Sequence, residues 1–267
     1  MTHPIVLAHG IARFDLWTPA LRFVSADDSV HYFRGLKTHL EQAGYEVHHA
    51  DVDWAGSLEQ RALDLRAVCA RILARSGAPA LNLICHSMGG LDARRMLYHS
   101  HLARDGFQQK IAAVATIGTP HRGTVLADLV LADLPGAIQA IRGLGLNLTG
   151  FADLTTAACA RFNREARASE VASGVRFLTW AGSQRYPRVW APLKSSWKLI
   201  AEHEGTNDGL VPVHSQLWRR EYAQAHIEAD HLNQIGWWDL EELLHESPGA
   251  FTTRIQALYR DIAARLP

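Results

Sequence analysis

The chain has 267 residues, 48% of them hydrophobic and 20% charged, enough for one large α/β domain with a full core and short for two. Lys plus Arg and Asp plus Glu both number 27, so the formal net charge is zero, and with no basic stripe or like-charge run nothing favours nucleic acid or an anionic membrane surface as a partner. The 15 histidines are scattered and form neither an HExxH pair nor a Cys/His cluster of zinc spacing, so no metal or other cofactor is expected.

Strand-like and helix-like segments alternate, the pattern of a mostly parallel sheet with helices on both faces. Residues 4–8 read as a buried strand ending in His9-Gly10. Residues 32–43 carry helical apolar spacing with Gly44 as C-cap, and 45–52 form a second strand. A long amphipathic helix covers 58–74, with Gly77 and Pro79 after it. Residues 80–85 form a third strand running into His86-Ser87-Met88-Gly89-Gly90, and 91–99 begin a helix. Residues 111–117 are a fourth strand, 176–181 a fifth, 225–229 a short last one, and 251–266 a closing amphipathic helix. The stretch 123–167 breaks this rhythm. It has no strand and reads as two or three short amphipathic helices inserted in a single domain spanning 1–267, the composition of a lid over an apolar pocket.

The stretch 81–90, Leu-Asn-Leu-Ile-Cys-His-Ser-Met-Gly-Gly, carries the chemistry. A serine nucleophile must project above the sheet from a tight, strained strand-to-helix turn, which demands small residues two before and two after it. Gly89 meets this, and Cys85 stands where glycine is usual. Cys85 faces down the strand and is read as a small buried filler, with Ser87 at the apex. Acyl transfer builds charge on a carbonyl oxygen, so two backbone N–H groups must already point there. Met88, after the serine, supplies one and Ile11, in the loop turned by Gly10, the other; His9 is read as a buried histidine bonded to backbone. The acid and base should follow in that order. Asp208, in Asn207-Asp208-Gly209-Leu210-Val211-Pro212, lies 121 residues after Ser87, and His231 another 23 on, after the last strand. His214 and His226 are its competitors. Asp230 and Glu228 are read as solvated loop charges.

Cys69, Cys85 and Cys159 are odd in number and widely spaced, which reads as free thiols in a reducing compartment. Three residues precede Pro4 and the apolar run at 5–8 is short, so no signal peptide is read and a cytoplasmic location is expected; a trimmed leader would look the same. No stretch reaches the roughly 18 apolar residues of a membrane span, so no stable anchor is expected.

The blocks Pro-Ile-Val-Leu-Ala-His-Gly (4–10), Cys-His-Ser-Met-Gly-Gly (85–90), Thr-Ile-Gly-Thr-Pro-His-Arg-Gly-Thr (116–124), Leu-Thr-Thr (154–156) with Phe162-Asn163, and Asn-Asp-Gly-Leu-Val-Pro (207–212) resemble the bacterial true lipases of the Pseudomonas/Burkholderia type. The resemblance implies the α/β-hydrolase fold and a triacylglycerol lipase or carboxylesterase with a lid. It also implies Ser87, Asp208 and His231 as a triad with Ile11 and Met88 as the oxyanion hole. Its substrate would be a small-molecule or lipid ester, met at a transient lipid interface. Three departures stand out. The family's structural calcium takes an aspartate two residues after the catalytic histidine, and here that position is Asn233; no aspartate lies between Asp153 and Asp208, so the calcium is expected to be absent. Arg13 stands where the oxyanion loop usually has glycine. Secreted members carry a signal peptide and a disulfide, and neither is read here. The expected function is therefore hydrolysis of lipid-like or medium-chain acyl esters through an acyl-Ser87 intermediate. A thioesterase or acyltransferase using the same triad, and a catalytically silent binding protein of this fold, are the alternatives.

Overall fold

The computed structural model describes residues 2–11, 28–54, 56–143 and 149–267. In chain order these form β1 (Ile5–Ala8), α1 (Leu36–Gln42), β2 (Val47–Ala50), α2 (Leu58–Ser76), β3 (Leu81–His86), α3 (Gly89–Ala103), β4 (Ile111–Ile117), α4 (Val125–Leu131), α5 (Pro135–Gly143), α6 (Thr156–Ala172), β5 (Arg176–Ser183), α7 (Lys194–Glu204), α8 (Val213–Gln216), β6 (Ala223–Glu228), α9 (Leu240–Leu243) and α10 (Pro248–Ala264). The six strands make one all-parallel sheet in the order β2-β1-β3-β4-β5-β6.

The strands at the centre are buried along their whole length, as expected when helices cover both faces. One face packs Leu7, Ile84 and Trp180 against Phe33, Leu36 and Leu40 of the α1 region and Phe251, Ile255 and Tyr259 of α10. The other packs Val6, Leu83 and Val114 against Ala62, Leu65 and Cys69 of α2 and Met96 of α3. A third cluster lies over the strand ends and joins Ile11, Met88 and Leu91 to Leu126, Phe151 and Phe162. Cys69, Cys85 and Cys159 are all free and buried. Among the described residues no helix is long and apolar enough to cross a membrane.

Several boundaries differ from the sequence expectation. The helix expected from residue 32 begins at Leu36, because Gly35 takes a left-handed φ of 69° and the turn before it is tied to Asp28, whose carbonyl accepts the N–H groups of His31 and Gly35. The stretch 123–167 does hold two short helices, α4 and α5, but α6 is a 17-residue helix of the body, packed on α3 and running past the expected end of the insertion. Residues 144–148 of that stretch, and Arg13, lie outside the described residues. The helix α7 falls in a stretch with no sequence assignment.

The register of β1 against β3, Ala8 opposite Cys85, brings His9-Gly10 beside His86-Ser87. That approach is closed to side chains. A Cβ on Gly89 would lie 2.5 Å from the Ala8 carbonyl oxygen and 2.8 Å from that of His9, both backbone atoms that cannot swing away. Gly136, in the first turn of α5, faces open space. Gly89→Ala should therefore lose about 1–3 kcal/mol or more of stability by overpacking, while Gly136→Ala should change it by less than about 1 kcal/mol. Urea-unfolding midpoints of the two variants check this, and equal midpoints would contradict the packing described.

Candidate active site

Ser87 sits at the end of β3 with φ 55°, in the left-handed region that a non-glycine residue occupies only when its surroundings hold it there. Its N–H donates to the Ile117 carbonyl of the neighbouring strand at 3.0 Å, and α3 begins two residues later. Cys85 is packed among the α2-side core, where burial pushes its thiol well above the usual range. The serine, not the cysteine, opens onto a pocket over the strand ends. Among the described residues its walls are mostly aliphatic, including Ile11, Leu126, Leu154, Leu193 and Leu210, and its polar side chains are those of Ser87, His231, Tyr32 and Thr124.

Asp208 and His231 are brought together as expected. The 207–212 turn is closed by a bridge between Asn207 and Pro212, and Asn207 Oδ1 accepts the Gly209 N–H at 2.8 Å. Asp208 is fully buried. Its Oδ1 accepts the N–H groups of Leu210 and Val211 at 3.0 and 2.8 Å. Its Oδ2 accepts His231 Nδ1 at 2.8 Å and Gln234 Nε2 at 3.0 Å. The backbone is tied as well, since the His231 N–H donates to the Asp208 carbonyl at 2.8 Å. With Nδ1–H given to the carboxylate, the lone pair of a neutral His231 lies on Nε2. The competing histidines are elsewhere: His214 pairs with Glu204 and His226 meets Ser183 at the surface.

Asp230 is not a solvated charge. It is fully buried, and its carboxylate accepts the N–H groups of Leu232, Asn233 and Trp190 at 3.0, 2.8 and 2.8 Å. Burial pushes this carboxyl up to about 7 against those three donors. It clamps the loop that carries His231. Glu228, by contrast, is exposed as expected. The calcium implied by the resemblance does not fit these residues. The Asn233 amide donates to the Trp237 carbonyl at 2.9 Å, both Asp230 oxygens are occupied by N–H donors, and no group of three or more His, Cys, Asp or Glu converges among the described residues. Trp237 takes up the packing: its indole N–H donates to the Tyr32 carbonyl at 3.0 Å, and Trp237 and Trp238 both stack on Arg34.

The loop after β1 is held from below. Arg61 of α2 is fully buried, donates to the carbonyls of His9 and Asp53 at 2.7 Å each, and pairs with Asp92 in the first turn of α3. Burial pushes Asp92 up to about 6, outweighing the neighbouring guanidinium. The His9 ring bonds the Gly10 carbonyl at 2.8 Å. A Cβ on Gly10 would meet Ser87 Cβ at 2.7 Å and the Tyr32 hydroxyl at 2.9 Å, so only glycine lets the loop pass over the serine. The N–H groups of Ile11 and Met88 donate to no group among the described residues. His86 lies under the imidazole, its ring 4.4 Å from that of His231, and its Nδ1 meets the Tyr32 hydroxyl at 2.8 Å. Sequence reasoning missed Tyr32, Arg61, Asp92, Asp230 and Gln234. For Arg61 and Asp92 the available signal was a charge at an inward helical position; for Tyr32 there was none.

Comparison with known proteins agrees with this geometry. Residues 3–213 match the family model described as alpha/beta hydrolase fold. Triacylglycerol lipase 2 of Saccharomyces cerevisiae is 30% identical over 272 residues, covering 88% of this chain and 80% of that protein. A triacylglycerol lipase of Vibrio cholerae is 28% identical over 99% of this chain and 87% of its own length, and one from Burkholderia plantarii is 36% identical over 48% of this chain and 32% of its own. Among solved structures, lipase 1 from Pelosinus fermentans superposes with a TM-score of 0.67 at 16% identity, covering 97% of this chain and 99% of that one. The mature Bacillus licheniformis lipase does so with 0.65 at 20% identity, covering 86% and 85%. The chain belongs to the α/β-hydrolase fold family, on the branch that holds the triacylglycerol lipases.

Proposed function

We propose that the protein hydrolyses carboxylic esters with lipid-like or medium-length acyl chains through an acyl-Ser87 intermediate. The observation that carries this is the 2.8 Å bond between buried Asp208 and His231, on the wall of the apolar cavity onto which Ser87 opens. In the proposed reaction His231 Nε2 takes the Ser87 proton as Oγ attacks the ester carbonyl carbon. The free N–H groups of Ile11 and Met88 stabilise the oxyanion. Collapse expels the alcohol, which leaves with the proton held by His231. A water deprotonated by the same imidazole then cleaves the acyl-enzyme. Asp208 fixes the histidine tautomer and balances the imidazolium. Cys85, His86, Gly10 and Gly89 shape the turn and take no part in proton transfer.

The aliphatic walls suit an acyl chain, and among the described residues they include no Lys, Arg, Asp or Glu to meet a polar substrate. The α4–α5 pair is the proposed lid over a single domain: Leu126 lines the cavity from within, while Leu131 and Leu134 are half exposed on the outside, ready to meet a lipid interface. No metal is needed, because hydrogen bonds hold the His231 loop. Three buried free thiols accord with a cytoplasmic setting.

Four measurements test the reading. Wild type should turn over p-nitrophenyl butyrate or palmitate, and Ser87→Ala should lose about 10⁴-fold or more of that rate; equal rates would refute the nucleophile, and acyl-CoA tried beside the oxygen esters separates a thioesterase. Asp208→Asn should lose roughly 10⁴-fold by holding the wrong tautomer. EDTA should leave both the rate and the melting temperature of the wild type unchanged, and a drop in either would show that a cation supports the loop. Arg61→Met strands the buried Asp92 and frees the His9 carbonyl; it should lower stability by about 3–5 kcal/mol in urea unfolding, with turnover falling alongside.

A further inference from the structure

Gln234 stands three residues past His231 and is fully buried. Its amide faces the acid, not solvent: Nε2 lies 3.0 Å from Asp208 Oδ2, the same oxygen that accepts His231 Nδ1. A carboxylate only accepts, so it is the amide nitrogen that points there. The fold makes room for this amide at two places. Gly118, at the end of β4 with φ 58°, and Gly182 in β5 each lie so close that a Cβ would overlap the Gln234 amide, its Oε1 in one case and its Nε2 in the other. Gln234 Oε1 has no partner within hydrogen-bonding geometry among the described residues, although the amide faces His86, and Nε2 also lies 3.5 Å from the Ala229 carbonyl. Burying an amide with a poorly met acceptor is unfavourable, and the shortest contact this one makes is the bond to Asp208.

We propose that Gln234 is a positioning residue for the reaction: it holds the Asp208 carboxylate in the rotation that presents Oδ2 to His231 Nδ1, and acts on Ser87 only through those two groups. The inference rests on the triad reading above. The backbone N–H groups of Leu210 and Val211 fix Oδ1 and leave it as a pivot. On Oδ2 the described side-chain donors are His231 and Gln234, so without the amide the carboxylate is free to turn about that pivot and lengthen its bond to the imidazole. The titratable groups facing the pair are His86 beside the imidazole, Asp230 behind the loop, and Tyr32 across the cavity.

The test compares wild type, Ser87→Ala, Gln234→Leu and Gln234→Glu. It follows the rate of Ser87 labelling by a fluorophosphonate and the turnover of p-nitrophenyl butyrate between about pH 5 and pH 9, where imidazole titrates, with thermal unfolding recorded for each. Folded Gln234→Leu should lose about tenfold in labelling rate and in kcat, the scale of one hydrogen bond to a charged group, with KM within about twofold because no substrate contact is removed. Gln234→Glu keeps the shape, and its new carboxyl donates to Oδ2 only while protonated. It should therefore lose rate toward the alkaline end as that proton leaves, since two carboxylates cannot share the site as anions. Wild type carries an amide with no such proton to lose and should show no fall at that end. Wild-type labelling by folded Gln234→Leu, or a Gln234→Glu profile parallel to wild type, overturns the proposal alone. Should Gln234→Leu fail to fold, the Gln234→Glu profile decides. A wild type inert to the probe at Ser87 overturns the triad reading and this inference with it.

Discussion

Parallel register is the constraint on which the site depends. Because β1, β3, β4 and β5 run the same way, their carboxyl ends converge, and each delivers one piece: His9-Gly10 from β1, Ser87 from β3, Gly118 from β4, Gly182 from β5. The pieces meet only if the backbones approach more closely than side chains permit. Hence Gly10 against Ser87, Gly89 against the Ala8 carbonyl, and a serine forced to φ 55°. Strain at Ser87 persists because its N–H is anchored to Ile117 and the following helix is packed on both sides.

A second layer of buried polar groups holds those pieces still. The Arg61–Asp92 pair fixes the loop after β1, Asp230 fixes the loop after β6, and Gln234 links the latter to Asp208. None of these is a strong source of global stability, since each carries a desolvation penalty. Their common property is that each ties down a loop that carries a candidate site residue. Rigidity of the site is what they provide.

The parts of this architecture written in local pattern could be read from the chain. The mostly apolar run 111–117 is β4 to the residue, and the candidates Ser87, Asp208 and His231 stand out in the chain because the elbow and the 207–212 turn are short-range signatures. What failed was long-range. Helical spacing continued upstream of Leu36, yet the turn tied to Asp28 and the left-handed Gly35 override it. Asp230 reads as a loop charge because nothing nearby in sequence reveals that Trp190, 40 residues earlier, donates its N–H to it. Arg61 stabilises a carbonyl 52 residues away. Partners at such separations leave no periodicity.

The loop clamp also shows why a carboxylate and a cation are not interchangeable as fasteners. A bound cation gathers oxygen ligands and draws negative charge into the loop. Asp230 does the reverse, gathering N–H donors around a buried acid. Such a clamp has its own pH dependence. An acid lifted to about 7 in the fold, as Asp230 is, binds more protons folded than unfolded from roughly pH 4 upward. Its contribution to stability therefore declines as pH rises through that window and levels off above the folded value. Asp92, lifted to about 6, behaves the same way over a narrower range. Both groups thus trade stability near neutrality for fixed backbone on either side of Ser87. That exchange is consistent with a site whose reacting atoms must be held in place while an apolar chain enters and leaves beside them.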